Sequence, residues 1–436
     1  MRDTLRSPII STKLQQIAEQ AARYPYRVFT TLAHHIDLDM LYESYHQTRK
    51  DKAAGVDNVT GKEFGSNLDA NLRDLYYRLK NDLYKAQPVK RVWIDKEPGK
   101  KRPLGIPCFE DKIVQRAVAM LMSAIYEQDF NDFSYGFREG RSPHDAIKAV
   151  RENCRQKNIG WIVDADVSGY FDNIDHGWLR KFLKQRVNDG GILKLIGKWL
   201  NAGVMEEGNL CHPDKGSPQG SVISPLLANV VLHHVLDDWF IKEVQARLKG
   251  RSFLVRFADD FIIGCELEED ARRVMAILPK RFGRFGLTIH PDKTILEAFR
   301  DPDRKLSGEV SNGTFDFVGF IHYWAKSLKG NWVIKRKTAG KRIRRTVKSI
   351  WIWCRNNRHM PGKDQYRIFC SKLRGHFQYY GVRCNMRSME KVYHQAKRAW
   401  RYWLSRRSHT GKVIWEKYEL FLERNPLPLP RIIHRF

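Results

Sequence analysis

The sequence predicts an α/β body followed by a helical, strongly basic carboxy-terminal unit, and three observations predict it. Two apolar runs of strand character, Trp161 to Val167 and Phe253 to Cys265, stand mid-chain among helical stretches, the pattern of packed α and β layers. Lysine plus arginine exceed aspartate plus glutamate by 77 to 49, a surplus of 28, of which 24 falls between Ile321 and Phe436, where 29 basic residues meet 5 acidic ones. Apolar content of 42% gives the chain enough hydrophobic area to offset the entropy of ordering.

At 436 residues the chain exceeds one ordinary domain of about 100 to 200 residues. The charge step near residue 325 divides it into 1–325 and 326–436. Residues 10–50 and 66–86 read as helical, and Ile113 to Ile125 as an apolar stretch broken by Gln115 and Arg116. The two strand runs follow. Beyond the step, Ile343, Val347, Ile350, Trp351 and Cys354 recur at helical spacing while Arg342, Arg345 and Lys348 fall largely on the other side, which predicts an amphipathic helix with a basic face. Seven of the twelve tryptophans lie between Ile321 and Phe436, setting flat rings among cations. No internal repeat or low-complexity linker separates the units, so close packing is expected.

A surplus of this size repels itself unless a polyanion screens it, and nucleic acid is the expected partner. No apolar run of about 18 residues, lipidation signal or secretory leader argues for a membrane, so a soluble protein of the bacterial cytoplasm or nucleoid is expected. The seven cysteines are too scattered for zinc or disulfide frameworks and are expected to be reduced. Cys211 next to His212 is half a metal site at most.

Asp259 and Asp260 lie in the predicted turn of an apolar hairpin, and Asp166 ends another apolar strand. An acidic pair in a turn is commonly only turn chemistry. A sheet that joins the two tips would instead create a carboxylate cluster fit for hard divalent cations and phosphoryl transfer.

Ordered motifs raise that second reading. ADVSGYFDNIDH from Ala165, GSPQGSVISPLLANVVLHHVLD from Gly216, VRFADD from Val255, GLTIHPDKT from Gly286 and FDFVGF from Phe315 resemble the successive motifs of reverse transcriptases. KRPLGIPCFEDKIVQRAV from Lys101, SYGFREGRSPHDAI from Ser134 and LRGHFQYYGV from Leu373 resemble, more narrowly, the group II intron-encoded reverse transcriptase/maturases, bacterial type without the HNH endonuclease domain. The resemblance runs from about residue 40 to the end. It implies a right-hand polymerase with fingers and an antiparallel palm sheet, then an all-α thumb and basic maturase domain.

The resemblance also implies roles. Asp166, Asp259 and Asp260 match the metal-binding aspartates, with backbone help from Ala165 or Val167, for two Mg2+ ions that Mn2+ could replace. Phe171 matches the side chain that crowds a ribose 2′-hydroxyl, Gln219 the residue along the nascent pair, and Arg102, with Lys100 or Lys101, the triphosphate grip. Lys293 matches a lysine near the leaving pyrophosphate, and Phe315 to Phe320 the hairpin that holds the primer end. Arg342, Arg345, Lys348, Arg374, His376 and Tyr379 are the candidate RNA contacts.

The implied partners are group II intron RNA, an RNA template with a DNA primer, and dNTPs; whether the chain is a monomer or a homodimer stays open. Phe257 departs from the family, where tyrosine is usual. Three other readings remain at this point: a domesticated enzyme serving phage defence or repair, a splicing-only RNA-binding factor, and an RNA-dependent RNA polymerase.

Overall fold

The computed structural model describes residues 2–97, 100–206, 208–212, 214–304, 312–408 and 412–436. Helix α1 (Arg2–Arg23) stops at the Tyr24-Pro25 step, and after a short 3-10 turn at Ala33–His35 the chain re-enters a helix, α2 (Leu38–Gln47), capped where the Asp37 carboxylate accepts from the Met40 N–H at 2.9 Å. The single helical stretch expected over residues 10–50 is therefore two, because Pro25 has no N–H and disfavours helical backbone at Tyr24. Helices α3 (Gly61–Ser66) and α4 (Leu68–Lys80) follow.

Strands β1 (Val89–Glu97) and β2 (Lys100–Ile106) form an antiparallel pair, extended later in the chain by β4 (Val204–Glu206) and β5 (Asn209–Cys211) in the order β2-β1-β4-β5. Between them run α5 (Phe109–Asp129), α6 (Pro143–Gln156), β3 (Trp161–Asp166), α7 (His176–Lys184) and α8 (Gly190–Asn201). The apolar stretch Ile113 to Ile125 lies in α5, buried on most sides, as its near-continuous hydrophobicity requires. The start of α6 is set by a reciprocal cap between Ser142 and Asp145 with Pro143 at the first helical position.

Helix α9 (Ser224–Leu232) continues through π-helical turns at His233–Asp237 and Phe240–Val244 into the hairpin β6 (Ser252–Phe257) and β7 (Asp260–Cys265). With α10 (Glu268–Gly283) and β8 (Ile295–Ala298) this completes a wholly antiparallel palm sheet, order β6-β7-β3-β8. Its strands are apolar on both faces because both are covered. Val163, Leu254, Phe261 and Ile263 enter the large core with α5 and α9, while Ile162, Phe253, Val255 and Ile262 enter a second core with α6.

A third sheet joins β9 (Phe315–Phe317), β10 (Phe320–Lys326) and β11 (Trp332–Thr338), so a strand pair spans the charge step at residue 325 before the helices begin. Helices α11 (Gly340–Asn356), α12 (Gly362–Tyr380), α13 (Met386–Leu404) and α14 (Trp415–Arg424) close around a third core that includes Ile350, Cys354, Phe377 and Trp400. Residues 431–436 then return to the joint between these helices and the palm. The Ile433 and His434 N–H groups donate to the Gly381 carbonyl at 2.7 and 2.9 Å, and the His434 ring stacks on His144 of α6 at 3.6 Å. Among the described residues no helix is long and apolar enough to cross a membrane.

Candidate functional site

Strand alternation places Asp164 and Asp166 on one face of β3, with Ala165 turned into the large core. The β3–β7 register sets Asp166 opposite Asp260, so two carboxylates far apart in sequence meet at one sheet end. In the β6–β7 hairpin Phe257 pairs with Asp260, which leaves Ala258 and Asp259 as the turn. Asp260 thus belongs to the strand rather than the turn, with Asp259 alone at the tip. Ala258 takes φ +59°, which brings the chain round in two residues.

Burial, reinforced by Asp164, Asp166 and Asp259, holds the Asp260 carboxyl well above the usual range. Burial, then Asp316 and Asp166, pushes Asp164 up to about 7. Carboxylates forced together in this way are the donor set a hard divalent cation prefers, and each favours ionisation once a cation sits among them. The Lys293 ammonium already forms an ion pair with the Asp166 carboxylate, bringing a positive charge to this point. Lys293 sits in a 3-10 turn (Pro291–Lys293) that is tied to β3 where the His290 N–H donates to the Asp166 carbonyl at 2.8 Å. Ala165 and Val167 are buried, so any contribution they make is from the main chain.

The turn that carries Asp259 is held from beneath by residues the sequence reading passed over. Arg256, wholly buried, forms paired bonds to Asp237 at 2.8 and 2.6 Å, and its third nitrogen donates to Asn229 at 2.9 Å and to the Ala258 carbonyl at 3.1 Å. Asn229 in turn donates to the Gly136 carbonyl at 2.8 Å. Gly136 passes so close to the Ala258 backbone that no side chain fits between them. An arginine inside an apolar strand was the available signal for Arg256, and the i, i+2 alternation with Asp166 was the signal for Asp164.

Phe171 lies near this end of the sheet, buried in the large core with its ring edge-on to Phe137. Its carbonyl accepts from the Ser217 N–H at 2.8 Å, which brings the Ser217-Pro218-Gln219-Gly220 loop alongside. The Gln219 carbonyl accepts from the Gly105 N–H of β2 at 2.6 Å, and Gly220, at φ +110°, leaves no room for a Cβ against the Gly105 carbonyl. Gln115 of α5 steadies the loop by accepting from Ser221 at 2.7 Å and Val222 at 3.0 Å. Arg102, exposed on β2 three residues before Gly105, lies within electrostatic reach of Asp172, the neighbour of Phe171, with Lys101 exposed beside it. The Lys100 side chain lies outside the described residues.

On the carboxy-terminal helices the candidates separate. Arg345 and Lys348 of α11 and Arg374 of α12 are exposed, and Arg342 is half-buried. His376 and Tyr379 turn inward, against the role expected of them. Burial lowers the His376 pKa to about 4, and the Tyr379 hydroxyl donates to the Val318 carbonyl at 2.9 Å. Val318 takes φ +52° and directs its N–H to the Asp260 carboxylate at 3.4 Å. Tyr379 reaches the palm from the end of α12, whereas the His376 ring packs against Phe377 and Tyr380 of its own helix, directions that helical spacing alone does not give.

His233, His234 and Asp238 bring three potential metal ligands within 4.8 Å of one another. Lys242 already binds Asp238 at 2.8 Å, and neither His233 Nδ1 nor His234 Nε2 has a hydrogen-bond partner of the kind that orients metal-binding imidazoles. Cys211 and His212 are exposed, the His212 ring bonds the Asn201 carbonyl, and among the described residues that pair acquires no further ligand.

Residues 94–322 match the family Reverse transcriptase (RNA-dependent DNA polymerase). Protein YkfC of Escherichia coli is 32% identical over 335 residues, covering 67% of this chain and 86% of that protein. The group II intron-encoded protein LtrA of Lactococcus lactis is 34% identical over 324 residues, covering 73% of this chain and 52% of LtrA. The chain belongs to the reverse transcriptases, in their group II intron-encoded branch. The nuclear intron maturase 1 of Arabidopsis thaliana is also similar, 33% identical over 90 residues, 21% of this chain and 12% of that protein. In this reverse transcriptase the matched span runs from β1 to β10, enclosing the fingers sheet, the palm sheet and the hairpin beside Asp260. The family activity is RNA-directed DNA polymerisation with divalent metal, and the chain spans about half the length of LtrA.

Proposed function

We propose that this reverse transcriptase copies group II intron RNA into DNA from a DNA primer and, as a maturase, binds the same RNA to assist splicing and mobility, working in the cytoplasm or nucleoid. Residues 1–325 serve as fingers and palm and 326–436 as thumb and maturase unit. The observation that carries the reading is the β3–β7 register, which sets Asp166 against Asp260 with Asp259 at the adjoining tip.

Two Mg2+ ions, replaceable by Mn2+, would be held by these three carboxylates and a main-chain oxygen of Ala165 or Val167, and would supply Lewis acidity for in-line attack of the primer 3′-hydroxyl on the α-phosphate. Arg102, with Lys101 and Lys100, grips the triphosphate of the dNTP through charge-assisted hydrogen bonds. Phe171 lies along the sugar and excludes a 2′-hydroxyl, while Gln219 lies along the new base pair. Lys293, already at Asp166, is placed to offset charge developing on the leaving pyrophosphate. Arg342, Arg345, Lys348 and Arg374 contact RNA phosphates.

The test is primer extension on an RNA template beside RNA binding. Asp259→Asn is expected to lower extension by about a thousandfold or more while RNA affinity stays within about twofold. Parallel loss of both would show that Asp259 serves the fold instead.

A further inference from the structure

Phe137 stands in a conformation that its surroundings enforce and its own burial does not explain. Its φ is +60°, a region that is costly for a residue with a bulky side chain. It is nevertheless 55% exposed, so packing returns little for that cost. The strain is imposed from both sides. On one, Gly136 is pinned by Asn229 and wedged against the Ala258 backbone, and the Tyr135 N–H donates to the Arg256 carbonyl at 2.9 Å. On the other, the buried Arg138 guanidinium donates to the Asn131 and Ser134 carbonyls at 2.7 and 2.9 Å and to Glu127 at 2.9 Å.

This clamp aims one side chain. The Phe137 ring meets Phe171 edge-on, with centroids 6.2 Å apart and planes at 79°, a favoured aromatic geometry. The same backbone segment touches the turn that carries Asp259. The exposed ring therefore covers the buried Phe171 ring from the solvent side, on a segment held against the turn that carries Asp259.

We propose that Phe137 is the outer wall of the sugar pocket, a specificity-determining residue that keeps the Phe171 ring against the sugar C2′ and contacts the incoming nucleotide with its own exposed face. The inference rests on the reading of Phe171 as the side chain that excludes a 2′-hydroxyl. Without Phe137, the Phe171 ring is free to swing outward, and the pocket admits ribonucleotides.

The test compares kcat/KM for one dNTP and its rNTP on a primed RNA template in the wild type, Phe137→Gly, Phe137→Ala, Phe171→Val and the Phe137→Gly, Phe171→Val double variant. Each Phe137 variant is expected to lower discrimination about tenfold, chiefly by raising ribonucleotide kcat/KM. The double variant should fall no further than Phe171→Val alone, because the two rings form one wall. Glycine adopts φ +60° without strain, so Phe137→Gly should melt at or above the wild-type temperature, an effect that a packing role would reverse. Wild-type discrimination in both Phe137 variants, with Phe171→Val impaired, overturns the proposal and leaves the Phe171 reading intact. Unchanged discrimination in Phe171→Val marks the failure of that underlying reading instead.

Discussion

Arg256 in the palm and Lys348 on α11 are both cations on regular elements, yet their settings are opposite. Arg256 is wholly buried and every nitrogen it offers is committed, to Asp237, to Asn229 and to the carbonyl of Ala258. Lys348 is exposed on a helix with no acidic residue. The first kind of charge is fixed by partners and transmits position; the second is left to be matched by something outside the chain. The difference teaches where geometry matters and where only field and reach matter, and each region should therefore fail in its own way when altered.

The largest effect is expected where the palm charge is broken. Arg256→Ala leaves Asp237 buried and unpaired and should cost about 3–5 kcal/mol in urea unfolding. Replacing the pair together, Arg256→Met with Asp237→Leu, should restore most of that stability. Primer extension should stay low, since the Ala258 carbonyl has lost its donor and the Asp259 tip is no longer anchored. Extension that returns along with stability would mean that the turn needs no such anchor.

The basic helix should respond in the other sense. Changing Arg342, Arg345 and Lys348 to glutamine together should leave the melting temperature nearly unchanged and flatten the dependence of log affinity for RNA on log salt by about 2, at about 0.7 per phosphate contact. A slope equal to that of the wild type would remove α11 from the RNA surface.

A third contrast lies in the joint between palm and helices, where His322 is fully buried with neither ring nitrogen hydrogen-bonded. Burial, then the nearby Arg336, lowers its pKa from 6.5 to about 3. Between those values the unfolded chain takes up a proton that the folded chain refuses. The stability contributed is complete above about pH 6.5 and is lost as pH falls toward 3, at up to about 1.4 kcal/mol per pH unit. His376, lowered to about 4, adds in the same sense. Urea midpoints at pH 7.5, 6 and 5 should fall in that order, and His322→Leu should make the decline shallower; an unaltered decline would assign it to other groups.

The smallest effect tests the link between the two regions. Tyr379→Phe removes the hydrogen bond to the Val318 carbonyl, worth about 1 kcal/mol, and should reduce primer extension severalfold with RNA affinity unchanged. A loss of RNA affinity with normal extension would return Tyr379 to the nucleic-acid surface.

Much of this was legible beforehand because it rests on local periodicity. Apolar runs gave the palm strands, and the 3.6-residue repeat gave α11 with Ile350 and Cys354 inward. The convergence of Asp166 with Asp260 was legible only as an expectation, since sheet register is set by pairings far apart in the chain. Tyr379, His376 and Phe137 were misread or passed over for one physical reason: whether an aromatic side chain faces solvent or a neighbouring unit is decided by tertiary contacts, and a positive φ at Phe137 leaves no trace in residue type. Arg256 was passed over, and Gln115 was read only as a break in an apolar stretch, because a buried polar side chain is defined by its partners.

The return of residues 431–436 to α6 has a consequence for the birth of the molecule. His434 lies nearly three hundred positions beyond the His144 ring on which it stacks, so this lock cannot close while most of the chain is still on the ribosome. The palm strands can pair as they emerge, but the hinge to the basic helices waits for residues 431–436. Until translation delivers them, a nascent chain carries an open joint next to its most strongly charged surface.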